Sequence, residues 1–150
     1  MIALDTNILV YATGKADIER RDHKARELLD RLAPVPILVS LQVLGEFFAV
    51  CRRKQIASMD VATRCVDLWL NHYSCPATVP ADITIAAGIS AGYGLQYFDA
   101  LIVAVAARAG ATMLLSEDMH DGLTVEGLRI VNPFVAENDA LLADYFNSAL

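Results

Sequence analysis

The stretch Met1-Ile2-Ala3-Leu4-Asp5-Thr6-Asn7-Ile8-Leu9-Val10 sets a polar island, Asp5-Thr6-Asn7, between two apolar runs. Ile2-Ala3-Leu4 is apolar without alternation, the pattern of a strand buried on both faces. Such strands belong to parallel sheets covered by helices, where ligands bind beyond the carboxyl ends of the strands. Asp5 stands directly after Leu4, at that edge. A carboxylate there has two readings: it caps a short helix beginning at Thr6, or it belongs to a site.

The rest of the chain repeats the alternation of short apolar runs with longer helical patterns. The spacing of Ile18, Ala25, Leu28, Leu29 and Leu32 predicts a helix over Ile18–Leu32, stopped by Pro34 and Pro36, before a strand at Ile37–Val39. Ser40 is the expected N-cap of a helix running to Lys54, followed by a helix from Asp60 to His72 and a short strand over Ala77–Val79. Asp82 starts a further helix that fades at Gly92 and Gly94. Asp99 to Ala109 is apolar nearly all round and closed by Gly110, so it should be packed on several sides. Thr112–Leu115 and Leu128–Val131 complete the strands, and a last helix covers Glu137–Asn147. The order predicts an α/β fold, a three-layer α/β/α sandwich around a mainly parallel sheet.

At 150 residues, 1–150 is expected to be one domain, burying about two thirds of the surface its unfolded chain exposes. Mean hydropathy is +0.41. The longest apolar run, Ala100 to Ala107, is nevertheless far short of the roughly 20 residues of a membrane span. No basic segment precedes an apolar one at the N-terminus, so the expected compartment is the cytoplasm, with no membrane contact. Cys51, Cys65 and Cys75 lack CxxC spacing and read as buried reduced thiols. His23, His72 and His120 form no HxxxH pair. A net charge of −6 argues against a general electrostatic grip on a polyanion. It does not exclude a nucleic-acid substrate, because a cation held in an acidic site reverses the local field.

Four acids carry the chemical reading. Asp5 and the loop Ser116-Glu117-Asp118 each follow a strand, and parallel strands bring them to one sheet edge. Asp99 starts the most apolar helix, as a cap or as part of a site. Glu46 shares a helix face with Gln42, Ala49 and Arg53, away from the rows of Val43, Phe47 and Val50 and of Leu44, Phe48 and Cys51. Carboxylates so gathered either share protons or hold cations. With no His or Cys among them, an all-oxygen site suits magnesium or manganese, which orients a water for attack on a phosphodiester.

With Asp5-Thr6-Asn7 after the first strand, Glu46 in an early helix, Tyr97-Phe98-Asp99-Ala100 opening an apolar helix, and Leu114-Leu115-Ser116-Glu117-Asp118-Met119-His120-Asp121-Gly122 after a later strand, the sequence resembles the PIN-domain ribonucleases, and most of all the VapC toxins of bacterial toxin–antitoxin pairs. The likeness runs over nearly the whole chain. It implies a PIN-like α/β/α domain and RNA cleavage dependent on Mg2+ or Mn2+. It assigns Asp5, Glu46, Asp99 and Asp118 to the metal-binding acidic positions, with Thr6, Asn7 and Ser116 in support. Ser116 stands where many members have threonine, which keeps the hydroxyl. Glu117 and Asp121 are extra acids in that loop, of which Asp118 is the expected ligand. The resemblance also implies a homodimer and a cognate antitoxin protein whose C-terminal segment occupies the cleft.

No residue here pairs a covalent nucleophile with an adjacent base, which leaves a metal-activated water as the economical mechanism. His120 is either an aid to proton transfer or a solvated loop residue. Arg52-Arg53-Lys54 either steers RNA or complements a helix dipole. The helices carrying Phe47, Phe48 and Trp69 are expected to expose apolar surface for a partner. Two other functions compete. A phosphatase of the haloacid dehalogenase type needs a second Asp two residues after the first, and that position is Asn7. A non-catalytic binding module on the same fold would act through protein or RNA contacts, and the presence of all four acids speaks against it.

Overall fold

A computed structural model of the chain describes residues 1–14 and 21–148. Strand β1 (Ile2–Leu4) leads through Asp5 into α1 (Thr6–Thr13), followed by α2 (Arg21–Leu32), β2 (Ile37–Leu38), α3 (Leu41–Lys54), α4 (Met59–His72), α5 (Pro80–Tyr93), α6 (Tyr97–Arg108), β3 (Met113–Leu115), β4 (Thr124–Val125), β5 (Leu128–Val131), a single 3₁₀ turn (Ala136–Asn138) and α7 (Asp139–Ser148). The predicted start of α2 at Ile18 lies outside the described residues.

The five strands form one sheet in the order β2-β1-β3-β5-β4, with every pair parallel except β4–β5. Each residue of β1 and β3 is buried. Since successive side chains point to opposite faces, both faces must be covered, as the three-layer architecture requires. Helix α1 packs on α2 and on α3, α3 packs on α4, and α5 packs on α6.

Helix α6 meets the expectation of burial on several sides, with Ala100 to Ala106 buried without interruption. No single helix among the described residues is long and apolar enough to cross a membrane. Helix α3 is capped as predicted, Ser40 Oγ accepting from the Val43 N–H at 3.3 Å. It ends at Gln55, which takes the left-handed conformation at φ 53°.

Several expectations are corrected. Ala77–Val79 is not a strand: the backbone hydrogen bonds beside β2 are made earlier, from Ser74 N to Ile37 O and from Val39 N to Ser74 O. The Ala77 carbonyl accepts instead from Arg108, and the Val79 N–H donates to Asp82 at 2.8 Å. That pairing starts α5 at Pro80, ahead of Asp82. Strand β4 was absent from the prediction; its hairpin to β5 turns on Glu126 and Gly127, both at positive φ, as a two-residue type I′ turn demands. Phe47 and Trp69 are not a surface: they pack edge to face at 4.9 Å inside the core. The exposed apolar side chains include Leu68, Leu70, Ile83, Ile85 and Phe98. All three cysteines are free, but only Cys51 is fully buried.

Candidate active site

Both readings of Asp5 hold at once. Its N–H donates to the Leu115 carbonyl, tying the end of β1 to the end of β3. As N-cap of α1, its Oδ1 accepts from the Thr6 N–H at 2.6 Å. Its Oδ2 accepts from Ser116 Oγ at 2.6 Å and Asn7 Nδ2 at 3.1 Å. An ionised carboxylate offers about four lone-pair positions. Three are occupied.

The supporting residues organise the others. Ser116, fully buried, accepts from the Asp118 and Met119 N–H groups through the same Oγ that donates to Asp5. The Asn7 amide donates to both Asp5 and Asp118 at 3.1 Å, bridging the two carboxylates. Thr6 Oγ1 donates to Glu46 Oε2 at 2.9 Å, and Gln42 Nε2 donates to Glu46 Oε1 at 2.8 Å and to the Phe98 carbonyl at 3.1 Å. Asp99 reaches the same place from the first turn of α6, whose N-cap is Gln96, so the capping alternative for Asp99 is set aside.

Asp5, Glu46, Asp99 and Asp118 therefore line one cleft of about 330 Å³, together with Arg53 and Lys54. Among the described residues no Lys or Arg forms an ion pair with any of the four. Burial pushes the Asp5 carboxyl up to about 6, against the pull of the Ser116 and Thr6 hydrogen bonds and with the added repulsion of Asp99 and Glu46. Asp99 is raised as well, by burial and then by Glu46 and Asp118.

These residues fit a hydrated hard cation. The donors are oxygens, their charge is uncompensated by side-chain cations, and Asp5 keeps one lone-pair position. The buried Gln42 Oε1, next to Glu46, has no hydrogen-bond partner among the described residues. Among the described residues no three acidic, histidine or cysteine side chains close around a single point. Magnesium is ordinarily held by one or two carboxylates, with water and phosphate completing its shell, so an open array suits it better than a cage.

The remaining acids of the loop are engaged elsewhere. Asp121 accepts from the Asn132 N–H at 2.8 Å and from Asn138, which fixes the chain after β5. Glu117 accepts from Tyr11 Oη at 2.5 Å and from Arg21 at 2.7 Å, with the Arg21 guanidinium 5.0 Å from the centre of the Tyr11 ring. That Tyr11–Arg21–Glu117 brace escaped sequence reading; the one signal available was Tyr11 falling a helical turn after Asn7, on the cleft side. His120 is exposed and does not line the cleft. A second cleft of equal volume, lined by Lys24, Glu27, Arg31 and Asp139 among others, holds none of the predicted site residues.

Known proteins match the chain over most of its length. The family model of the PIN domain matches residues 2–120. Ribonuclease VapC7 of Mycobacterium tuberculosis is 36% identical over 124 residues, 79% of this chain and 82% of the relative. Among solved structures, VapC20 of M. tuberculosis, described as a sarcin–ricin loop cleaving toxin, superposes with a TM-score of 0.64 at 19% identity, covering 76% of this chain and 87% of its own. A toxin–antitoxin complex from Klebsiella pneumoniae superposes at 0.65 and 19% identity, covering 89% and 98%. At those identities the structures speak for the fold.

Proposed function

Because the chain belongs to the PIN-domain family and shares over a third of its aligned residues with a VapC ribonuclease, we propose that it is a single-domain ribonuclease that hydrolyses RNA phosphodiesters with Mg2+ or Mn2+, and the toxin of a VapBC-type pair. The observation that carries this reading is the convergence of Asp5, Glu46, Asp99 and Asp118 on one cleft without a cationic partner. In this reading those four acids hold the metal. When bound, it supplies Lewis acidity for attack of water on the phosphodiester.

The chain's own residues set up that site. Ser116 and Asn7 hold Asp5 and Asp118 in register across the ends of β1 and β3. Thr6 and Gln42 each donate to Glu46, fixing its rotamer toward the cleft. The Tyr11–Arg21–Glu117 brace holds the loop that carries Asp118. The carboxylates must be ionised to bind the metal, and Asp5, pushed up to about 6 by burial, is incompletely ionised below neutrality; Asp99 is raised in the same direction.

The proposed partners are RNA, an antitoxin and a second copy of the chain, in the cytoplasm. Exposed Leu68, Leu70, Ile83 and Ile85 offer apolar surface for protein contacts. The test is cleavage of RNA in manganese by the parent, Asp99→Asn and Asp121→Asn. Asp99→Asn should abolish cleavage without unfolding the chain, and Asp121→Asn should do far less, since Asp121 braces Asn132 and Asn138 outside the cleft. Full activity in Asp99→Asn, with contaminating nuclease excluded, overturns the assignment.

A further inference from the structure

The acidic cleft also contains two cations that its acids do not use. Arg53 and Lys54 line it from the last turn of α3, both exposed. Among the described residues neither forms an ion pair or a side-chain hydrogen bond, although four carboxylates line the same cleft. The reason is distance along the helix. Arg53 and Lys54 follow Glu46 by seven and eight residues, so Arg53 sits on its face and Lys54 on the adjoining row of Val50, about 10 to 12 Å further along the axis. Val50 lines the cleft between them.

Basic residues at a helix C-terminus stabilise the dipole wherever they point. That account treats Arg52, Arg53 and Lys54 alike. The cleft does not: Arg53 and Lys54 line it and Arg52 does not. The structure thus separates an acidic end, able to hold a cation, from a basic end able to hold an anion, in a chain whose net charge of −6 otherwise repels polyanions.

Resting on the nuclease reading, we infer that Arg53 and Lys54 bind a backbone phosphate of the RNA beyond the scissile one, on the C-terminal side of α3. They anchor the strand and fix which way it lies in the cleft. Contacts of this kind position a nucleic acid without reading its bases.

The experiment uses a labelled, mixed-sequence RNA oligonucleotide and the Asp99→Asn background, in which binding is measured without cleavage, across a range of potassium chloride. Arg53→Gln and Lys54→Gln should each weaken binding about two- to fivefold, the range of an exposed ion pair. The double variant Arg53→Gln, Lys54→Gln should also flatten the plot of log affinity against log salt by about 0.7, the value for one single-strand phosphate contact. Arg52→Gln should follow the background, and Arg53→Lys should recover most of the loss. With Asp99 intact and manganese present, Arg53→Gln should raise KM by a larger factor than it lowers kcat.

Equal affinities and salt slopes across the set overturn the inference, as does an equal loss for all three cations, or no binding by the background at low salt. If the parent cleaves RNA while Arg53→Gln and Lys54→Gln behave like it, the phosphate site fails and the nuclease reading stands. If the parent cleaves nothing but binds RNA through Arg53 and Lys54, the reverse holds.

Discussion

Replacing Asp5 by Asn should stabilise the metal-free protein and remove its response to metal. In the fold the Asp5 carboxyl titrates at about 6 against an ordinary 3.8. The folded chain therefore holds a proton between about pH 4 and 6 that the unfolded chain has released, and stability rises as pH falls through that window. At roughly 1.36 kcal/mol per pH unit the full gap is worth about 3 kcal/mol. Asp5 is 6% exposed, so solvent screening reduces this little. Asn keeps an acceptor for the Thr6 N–H but sets an amide against both donors to Oδ2, Ser116 Oγ and Asn7 Nδ2, two lost hydrogen bonds of about 1 kcal/mol each. The net gain for Asp5→Asn in chelator at pH 7.5 is about 1 kcal/mol, or roughly 2 to 4 °C in Tm for a domain of this size. With manganese at about 100 times its Kd, the parent should gain about 2.7 kcal/mol and the variant much less, reversing the order. Thermal melts of both proteins, in chelator and in manganese at pH 7.5 and in chelator at pH 5, check all three points. Asn caps a helix about as well as Asp, so a purely structural Asp5 predicts that manganese shifts both curves equally. Equal stabilisation by manganese, or no gain by the parent on acidification, refutes the reasoning.

Asp82 and Arg108 make a bidentate pair at 2.8 and 3.0 Å with Asp82 fully buried, so Asp82→Ala should cost about 2 to 4 kcal/mol in urea unfolding, below the full value for a buried pair because Arg108 is partly exposed. The hydrogen bond from Arg108 holds the Asp82 carboxyl below its usual range, so this stabilisation is complete above about pH 3.8 and is lost as pH falls through the lower folded value; a variant as stable as the parent at neutral pH would contradict the pairing. Ser116→Ala removes a fully buried hydroxyl that serves Asp5, Asp118 and Met119, and should lower Tm by the equivalent of about 1 to 3 kcal/mol and RNA cleavage at least tenfold. Parent-like cleavage by Ser116→Ala would mean that Asp5 and Asp118 need no such alignment.

What the sequence made legible depended on whether the signal was local. Ile2 to Leu4 and Met113 to Leu115 are buried on both faces because no polar residue interrupts them, and α6 could be read as packed all round for the same reason. Asp5, Asp99 and Asp118 were legible because strand ends and helix starts fix where each emerges, whereas Glu46, in the middle of α3, was legible only through the family resemblance. Long-range pairings were not. The failure of Ala77–Val79 as a strand follows from Arg108, some thirty residues on, taking the Ala77 carbonyl. Strand β4 was hidden because a two-residue strand carries no periodicity and its turn is Glu-Gly rather than the more telling Asn-Gly. The helices of Phe47 and Trp69 do expose apolar surface, at Leu41, Leu68 and Leu70, but that these two rings are themselves buried where α3 meets α4 is a contact no pattern within either helix announces.

Gathering four carboxylates at one sheet edge would be prohibitive if each had to be stabilised separately. Two helices reduce that cost. Asp5 is the N-cap of α1 and Asp99 lies in the first turn of α6, so each stands at the positive end of a helix dipole worth about 0.3 to 1 kcal/mol near the surface. Asn7 adds a neutral donor between Asp5 and Asp118, where a third carboxylate would have added a repulsion. The same substitution that removes the general acid required by the phosphatase reading is what lets the acids sit together. Dipoles and donors still leave Asp5 and Asp99 above their usual range. The residual is what a divalent cation would relieve, and it ties the chemistry of the cleft to the stability of the fold through one residue, Asp5, which caps α1 whether or not a metal is bound.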